Sequence, residues 1–193
     1  MVDIDTPALI AHRTIGFHIV ISGYGLWLPG DERGSWSERW DDEIGFCEPH
    51  MLNEGDPVRL RMAAERMKFD PMRLTPEMIA IVGEVLAECQ RESDWRIAAA
   101  SIESTHTHLL LTYTQRDIDG VVKWLKQRMT KAIHQRTGFA GPIWAGGKWR
   151  SYVFDIAYWR NVLRYIERHN ERHNERRGVG PRPYSFLQSV EIE

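Results

Sequence analysis

"WRIAAASIESTHTHLLLTYT", residues 95–114, decides how the rest of the chain reads. "WRIAAASIE" (95–103) and "THLLLTYT" (107–114) are apolar, strand-prone runs set almost end to end, which predicts two consecutive antiparallel strands. Side chains alternate along a strand, so His106 and His108 share one face while Thr107 points away. Leu109 and Leu111 then share the Thr107 face, and Leu110 and Thr112 the histidine face. Two imidazoles side by side can grip one metal ion, but they need further ligands to complete its shell.

Upstream, "TIGFHIVISGYGLWLPGDERGSW" (14–36) opens as a β-branched strand from Ile15 to Ile21 and breaks into a Gly- and Pro-rich loop at Gly23–Gly34. Residues 35–72 are poorly periodic, with an Asp41-Asp42-Glu43 cluster and a short helix expected at "PVRLRMAAERMKF". We expect one domain over residues 13–190 with an insertion at about 28–72. Thr75 followed by Pro76 opens a helix whose stripe is Ile79, Val82, Val85, Leu86 and Cys89. A second helix, Asp117–Thr137, buries Val121, Val122, Leu125, Met129 and Ile133. "IWAGGKWRSYVF" predicts a hairpin turning at Gly146-Gly147, and Ile156 to Arg177 is helical again. This order predicts an α+β, ferredoxin-like sandwich: an antiparallel sheet with helices packed mainly on one face.

The chain's 193 residues include two cysteines, Cys47 and Cys89, without paired spacing, which excludes a disulfide framework or a cysteine-rich zinc site. The acidic N-terminus lacks the pattern of a signal peptide, and no apolar run approaches a membrane span, so a cytoplasmic protein with no membrane partner is expected. Charge is uneven. Residues 1–60 hold eleven acidic and four basic side chains, whereas residues 116–182 hold fifteen basic and six acidic. Such a basic block is the footprint of a surface that meets phosphates, or of an arginine-rich solvated helix face.

The last helix carries "LRYIERHNERHNERRG", in which Tyr165, His169 and His173 recur every four residues and stack along one face. Arg164, Arg168, Arg172 and Arg176 form the adjacent stripe. If that helix crosses the sheet face bearing His106 and His108, His169 completes a three-histidine metal shell and Tyr165 sits about 6 Å away, one turn along. A tyrosine hydroxyl is a weak nucleophile near neutral pH unless assisted. A divalent metal that neutralises phosphoryl oxygens supplies that help, and attack on a phosphodiester then leaves a phosphotyrosine and a free hydroxyl. No phosphate-cradling P-loop is present in the sequence.

The H-x-H strand and the downstream "YIERHN" resemble the single-tyrosine HUH transposases, which include small insertion-sequence enzymes and REP-associated tyrosine transposases. "GFHIVISGYGLWLPGDERGS", "VVKWLKQRMTKAI" and "PIWAGGKWRSYVFD" also occupy places expected in that family. The resemblance implies a metal-dependent single-stranded DNA endonuclease and strand transferase that forms a covalent 5′-phosphotyrosine. It implies Tyr165 as nucleophile, His106, His108 and His169 as ligands of Mg²⁺ or Mn²⁺, and single-stranded or hairpin DNA as partner of a monomer or homodimer. For the DNA backbone we single out Lys123, Lys126, Arg128, Lys131, Lys148, Arg150, Arg164 and Arg168. Two positions depart from the family pattern. Thr107 stands where a bulky apolar residue is usual, and His169 where Gln, Asn or an acid is usual. Three imidazoles lean towards softer ions than Mg²⁺.

Blander readings stand beside these. His18 is expected to be structural, and Trp124, Trp144, Trp149 and Trp159 to be mostly core rather than base-stacking. Tyr158 competes as nucleophile but has no histidine four residues on, and His173 belongs either to a metal clip or to a solvated helix end. At the level of function, the alternatives are a hairpin-DNA-binding module that does not cut and a three-histidine metal hydrolase.

Overall fold

The structure, a computed structural model, describes residues 14–36, 52–147 and 149–177. Its elements run β1 (Gly16–Ser22), β2 (Ser35–Trp36), β3 (Leu52–Asn53), α1 (Pro57–Glu65), α2 (Pro76–Arg91), β4 (Ile97–Ile102), β5 (His106–Thr112), α3 (Ile118–Thr137), β6 (Trp149–Val153) and α4 (Ile156–Arg177). β4, β5, β1 and β6 lie in that order in one antiparallel sheet, and β2 pairs with β3 in a separate ribbon. Starting from the β6 edge, the sheet holds the fourth, first, third and second of its strands in chain order. With α2 and α3 as the two crossovers, this is the ferredoxin-like α+β arrangement expected from the sequence. Part of the expected insertion, residues 37–51, lies outside the described residues.

Strand alternation separates two cores. Phe17, Ile19 and Ile21 of β1 and Leu109 and Leu111 of β5 face α2 and α3, whose apolar stripes are the residues expected. Full burial of each large aliphatic side chain contributes about 1.5–3 kcal/mol, so this face carries most of the hydrophobic stabilisation. α4 crosses the opposite face, where Trp159, Val162 and Ile166 pack on Ala99, Leu110 and Val153. Gly16 permits that approach, because a Cβ there would run into the Trp159 ring and the Leu111 carbonyl.

Each long helix starts at a side-chain cap. Thr75 Oγ1 accepts from Met78 N at 3.3 Å, Asp117 Oδ2 from Gly120 N at 2.8 Å, and Asp155 Oδ1 from Tyr158 N at 2.7 Å. α3 stops at Gly138, whose φ of 72° suits glycine.

The expected hairpin at Gly146-Gly147 is corrected by the register. β6 pairs with β1 as Val20↔Trp149, and further along the same edge Gly23 bridges Trp144. Between these pairs β1 advances three residues and the other segment five, so the two glycines lie in a bulge of one line beside β1 and not at a turn. Lys126 Nζ donates to the Ala145 and Gly147 carbonyls at 2.8 and 2.7 Å, satisfying oxygens that a strand partner would otherwise take.

Candidate functional site

The histidine face of β5 is the face α4 crosses, and this brings the sequence-selected residues together. One ring nitrogen from each of His106, His108 and His169 lies within 4.8 Å of the others. The Tyr165 ring centroid is 5.4 Å from that of His108 and 4.9 Å from that of His169. His108 is buried at 5% exposure, while Tyr165 keeps 46% of its surface in solvent. The competing Tyr158 is half-buried, and its hydroxyl is hydrogen-bonded to Ser151 Oγ at 2.9 Å.

The scaffold under these side chains is tightly tied. Glu103 N donates to His106 O at 2.9 Å across the β4–β5 turn. Leu74 N donates to Ser104 O at 2.7 Å and Gly23 N to Thr105 O at 2.8 Å, pinning the turn from two directions. Each ligand candidate is also held at Nδ1. His106 meets Thr105 Oγ1 at 2.8 Å, His108 meets His18 Nε2 at 3.2 Å, and His169 meets Glu103 Oε1 at 2.6 Å. With Nδ1 engaged in every ring, Nε2 is the atom presented to an ion, the usual arrangement of imidazole ligands oriented by outer partners. Glu103 Oε1 also lies 3.8 Å from His106 Nε2. The donor set therefore fits a divalent cation of the borderline class.

Burial shapes the protonation states. The His108 imidazole is pushed down to about 2, first by burial and then by the neighbouring His106, His18 and His169. His18 is pushed down to about 4 by burial and by His169. Both are neutral at physiological pH, so His108 is ready to ligate and His18 can accept its Nδ1–H. The Tyr165 hydroxyl is raised above its ordinary value by burial and then by the negative charge of Glu103.

Two of these residues escaped the sequence reading. His18, expected to be structural, shares the face of Val20, which pairs with His108, so the strand register was the signal that reveals it. Glu103 belongs to the turn of the β4–β5 hairpin, three residues before His106, and only the position of α4 links it to His169.

The basic candidates divide between the two faces. Lys123, Arg128 and Lys131 ride on α3, on the far side of the sheet, where Arg128 makes a two-pronged pair with Glu92 at 2.8 and 3.1 Å. Lys126 reaches from α3 to the bulge carbonyls described above. Arg150 also points to the far side and pairs with Asp119 at 3.1 Å. Arg164 and Arg168 are exposed on α4, on the histidine side, with Arg164 Nη2 donating to Asn161 Oδ1 at 2.5 Å. Lys148 and the His173 side chain lie outside the described residues. Of the four tryptophans weighed, Trp144 and Trp159 are core, Trp124 is half-buried against it, and Trp149 is 38% exposed beside His18. The site opens into a cleft of about 860 Å³ that continues to Trp27 and Arg33 in the loop after β1.

Residues 67–169 match the family model described as "Transposase IS200 like", 103 of the 193 residues and more than half of the chain. The chain belongs to this family. The match to the IS200-like transposases takes in both histidines of the β5 pair, Tyr165 and His169. Among solved structures, this transposase is similar to a REP-associated tyrosine transposase bound to a REP hairpin, at 12% identity over 93% of this chain and 90% of that one, with a TM-score of 0.48. It is also similar to a Deinococcus radiodurans R1 protein described as a transposase, at 13% identity over 81% and 91% of the two chains, with a TM-score of 0.45. No curated protein matches the sequence. Among the described residues, no helix is long and apolar enough to cross a membrane.

Proposed function

We propose that this IS200-like transposase cleaves and rejoins single-stranded DNA, hairpin-bearing strands included, through a covalent tyrosine link. The observation that carries the reading is the half-exposed Tyr165 set over His108 and one helical turn before His169, at the mouth of a cleft. His106, His108 and His169 would hold a divalent ion, Mn²⁺ suiting three imidazoles better than Mg²⁺. Such an ion neutralises charge on a phosphoryl oxygen and orients the scissile group. Tyr165 Oη attacks phosphorus, the bond to the 3′ oxygen breaks, and the strand's 5′ phosphate is left on the tyrosine. The hydroxyl proton passes to water, and the departing 3′ oxygen takes one up. Because the phosphoester is exchanged and not hydrolysed, a 3′ hydroxyl can reverse the step and join strands without a nucleotide cofactor. Tyr165 stands beside the histidines of its own chain, which supports a nucleophile acting in cis.

The test incubates the protein with labelled single strands taken from DNA flanking its gene, in Mn²⁺ or EDTA, and resolves adducts that survive SDS. A metal-dependent adduct that vanishes in Tyr165→Phe is expected. An adduct of equal yield in Tyr165→Phe overturns the assignment of the nucleophile. A metal-independent shift on a native gel with no adduct favours a binding module.

A further inference from the structure

The cleft does not end at the histidines. It runs on past Trp149 to the loop between β1 and β2, where Trp27, Pro29 and Arg33 form part of its wall. Trp27 is 44% exposed, a large apolar surface for a loop to leave in water. Yet it is not a loosely hung side chain. Its indole Nε1 donates to Gly34 O at 2.6 Å, and the Arg33 guanidinium lies 4.6 Å from the ring centroid.

Arg33 is itself fixed. It donates to Asp31 Oδ1 from Nε at 2.7 Å, to Asp31 Oδ2 from Nη2 at 2.6 Å, and to Leu26 O from Nη2 at 2.8 Å. The loop closes with Gly34 N on Asp31 O at 2.9 Å, and Gly34 adopts a φ of 77°, with its carbonyl at the edge of the indole where Nε1–H donates. It is anchored at Gly30, whose carbonyl accepts from Asp56 N at 2.9 Å just before α1. An exposed indole held by this many contacts has surrendered its rotamer freedom before any ligand arrives, so stacking on it costs little further entropy.

We infer that Trp27, backed by Arg33, is a stacking subsite for an unpaired nucleobase of the strand that reaches Tyr165, with Trp149 walling the passage between them. The inference rests on the reading of the cleft as a DNA-strand site. Flat aromatic faces take any base and discriminate against duplex, whose bases are already stacked. The guanidinium, its charge balanced by Asp31, holds the ring in place from one side.

The test uses an oligothymidylate carrying one 2-aminopurine at its centre, titrated in EDTA onto the full chain, so that no strand is cut. Stacking on the indole quenches 2-aminopurine emission. Trp27→Ala is expected to weaken binding about 5- to 150-fold and abolish the quench. Trp27→Phe should restore part of both, and Trp27→Leu, which keeps apolar bulk but no aromatic face, neither. Circular dichroism of each variant confirms that the fold is retained. If Trp27→Ala and Trp27→Leu bind and quench like the parent protein, the subsite does not exist, even where Tyr165 forms its adduct. If quenching depends on Trp27 but no adduct ever forms, the subsite stands and the cleavage reading falls.

Discussion

Glu103→Gln tests whether the carboxylate acts through the metal ligands. Its Oε1 lies 2.6 Å from His169 Nδ1, so the carboxylate is the outer partner of that ring, and it stands 3.8 Å from His106 Nε2. Outer partners of a ligating imidazole are worth about 10- to 100-fold in metal affinity, or about 1.4–2.7 kcal/mol. Gln keeps an oxygen that can accept from Nδ1–H but loses the charge, and a charge-assisted bond is about twice as strong as a neutral one. The half-saturating Mn²⁺ concentration for adduct formation should therefore rise about tenfold in Glu103→Gln and approach a hundredfold in Glu103→Ala. The plateau at saturating Mn²⁺ should be retained. A second signature follows from Tyr165. The charge of Glu103 is one cause of the raised tyrosine hydroxyl, so removing it lowers that value. The pH profile of adduct formation at saturating Mn²⁺ should then move to lower pH. Glu84→Gln, which breaks the Arg136 pair between α2 and α3, should move neither quantity. A collapse of the plateau with an unchanged Mn²⁺ requirement would refute the reasoning, because it would place Glu103 in the chemistry and not behind His169.

Three further expectations come from the same geometry. Tyr165 and His108 meet within one chain, so a mixture of Tyr165→Phe and His108→Ala proteins should form no adduct, and restored activity in the mixture shows that the tyrosine works in a partner's site. In metal-free protein, burial depresses the His18 and His108 imidazoles to about 4 and about 2, below the ordinary 6.5 of an unfolded chain. Their contribution is complete above about pH 6.5, and unfolding takes up protons below it, costing up to about 1.4 kcal/mol per pH unit for each histidine as pH falls towards the folded values. The urea midpoint in EDTA should fall between pH 6.5 and 4 and fall less steeply in His18→Phe; a flat midpoint for the parent protein contradicts the burial argument. Finally, single-strand affinity should lose about 0.7 of log–log salt slope for each of Arg164→Ala and Arg168→Ala. Lys123→Ala and Lys131→Ala, on the far side of the sheet, should leave the slope unchanged, and an equal loss from α3 would mean that the strand wraps both faces.

Local patterns carried the fold. Thr75-Pro76 and Asp117 mark helix starts because a cap is a contact within three residues, and the β5 alternation places its histidines because the strand period is two. The Tyr165/His169 spacing likewise needs only the pitch of a helix. What the sequence withheld depends on which segments become neighbours. Gly146-Gly147 has the composition of a turn, yet β1 offers the whole segment a continuous edge and Lys126 caps the carbonyls of the bulge. Glu103 and His18 join the site only because α4 brings His169 to Glu103 and the pairing of β1 with β5 sets His18 beside His108.

The basic block shows why composition stops short of the site. Residues 116–182 include α3 and α4, which the ferredoxin-like order sends to opposite faces of the sheet that contains β6. Arg128 and Arg136 are consumed by the acidic outer face of α2, Arg150 by Asp119, and Lys126 by main-chain oxygens. The excess of cations that reads as one phosphate-binding surface is thus divided between holding the helix layer together and standing exposed on α4, on the other side of the sheet. A charge count cannot make that division, whereas the alternation of HTHLLL does, because it assigns Leu109 and Leu111 to the helix layer and His106 and His108 to the cleft. Of the candidate cations among the described residues, Arg164 and Arg168 of α4 are the ones on the histidine side of the sheet, which is why the salt-slope comparison sets them against Lys123 and Lys131 on α3.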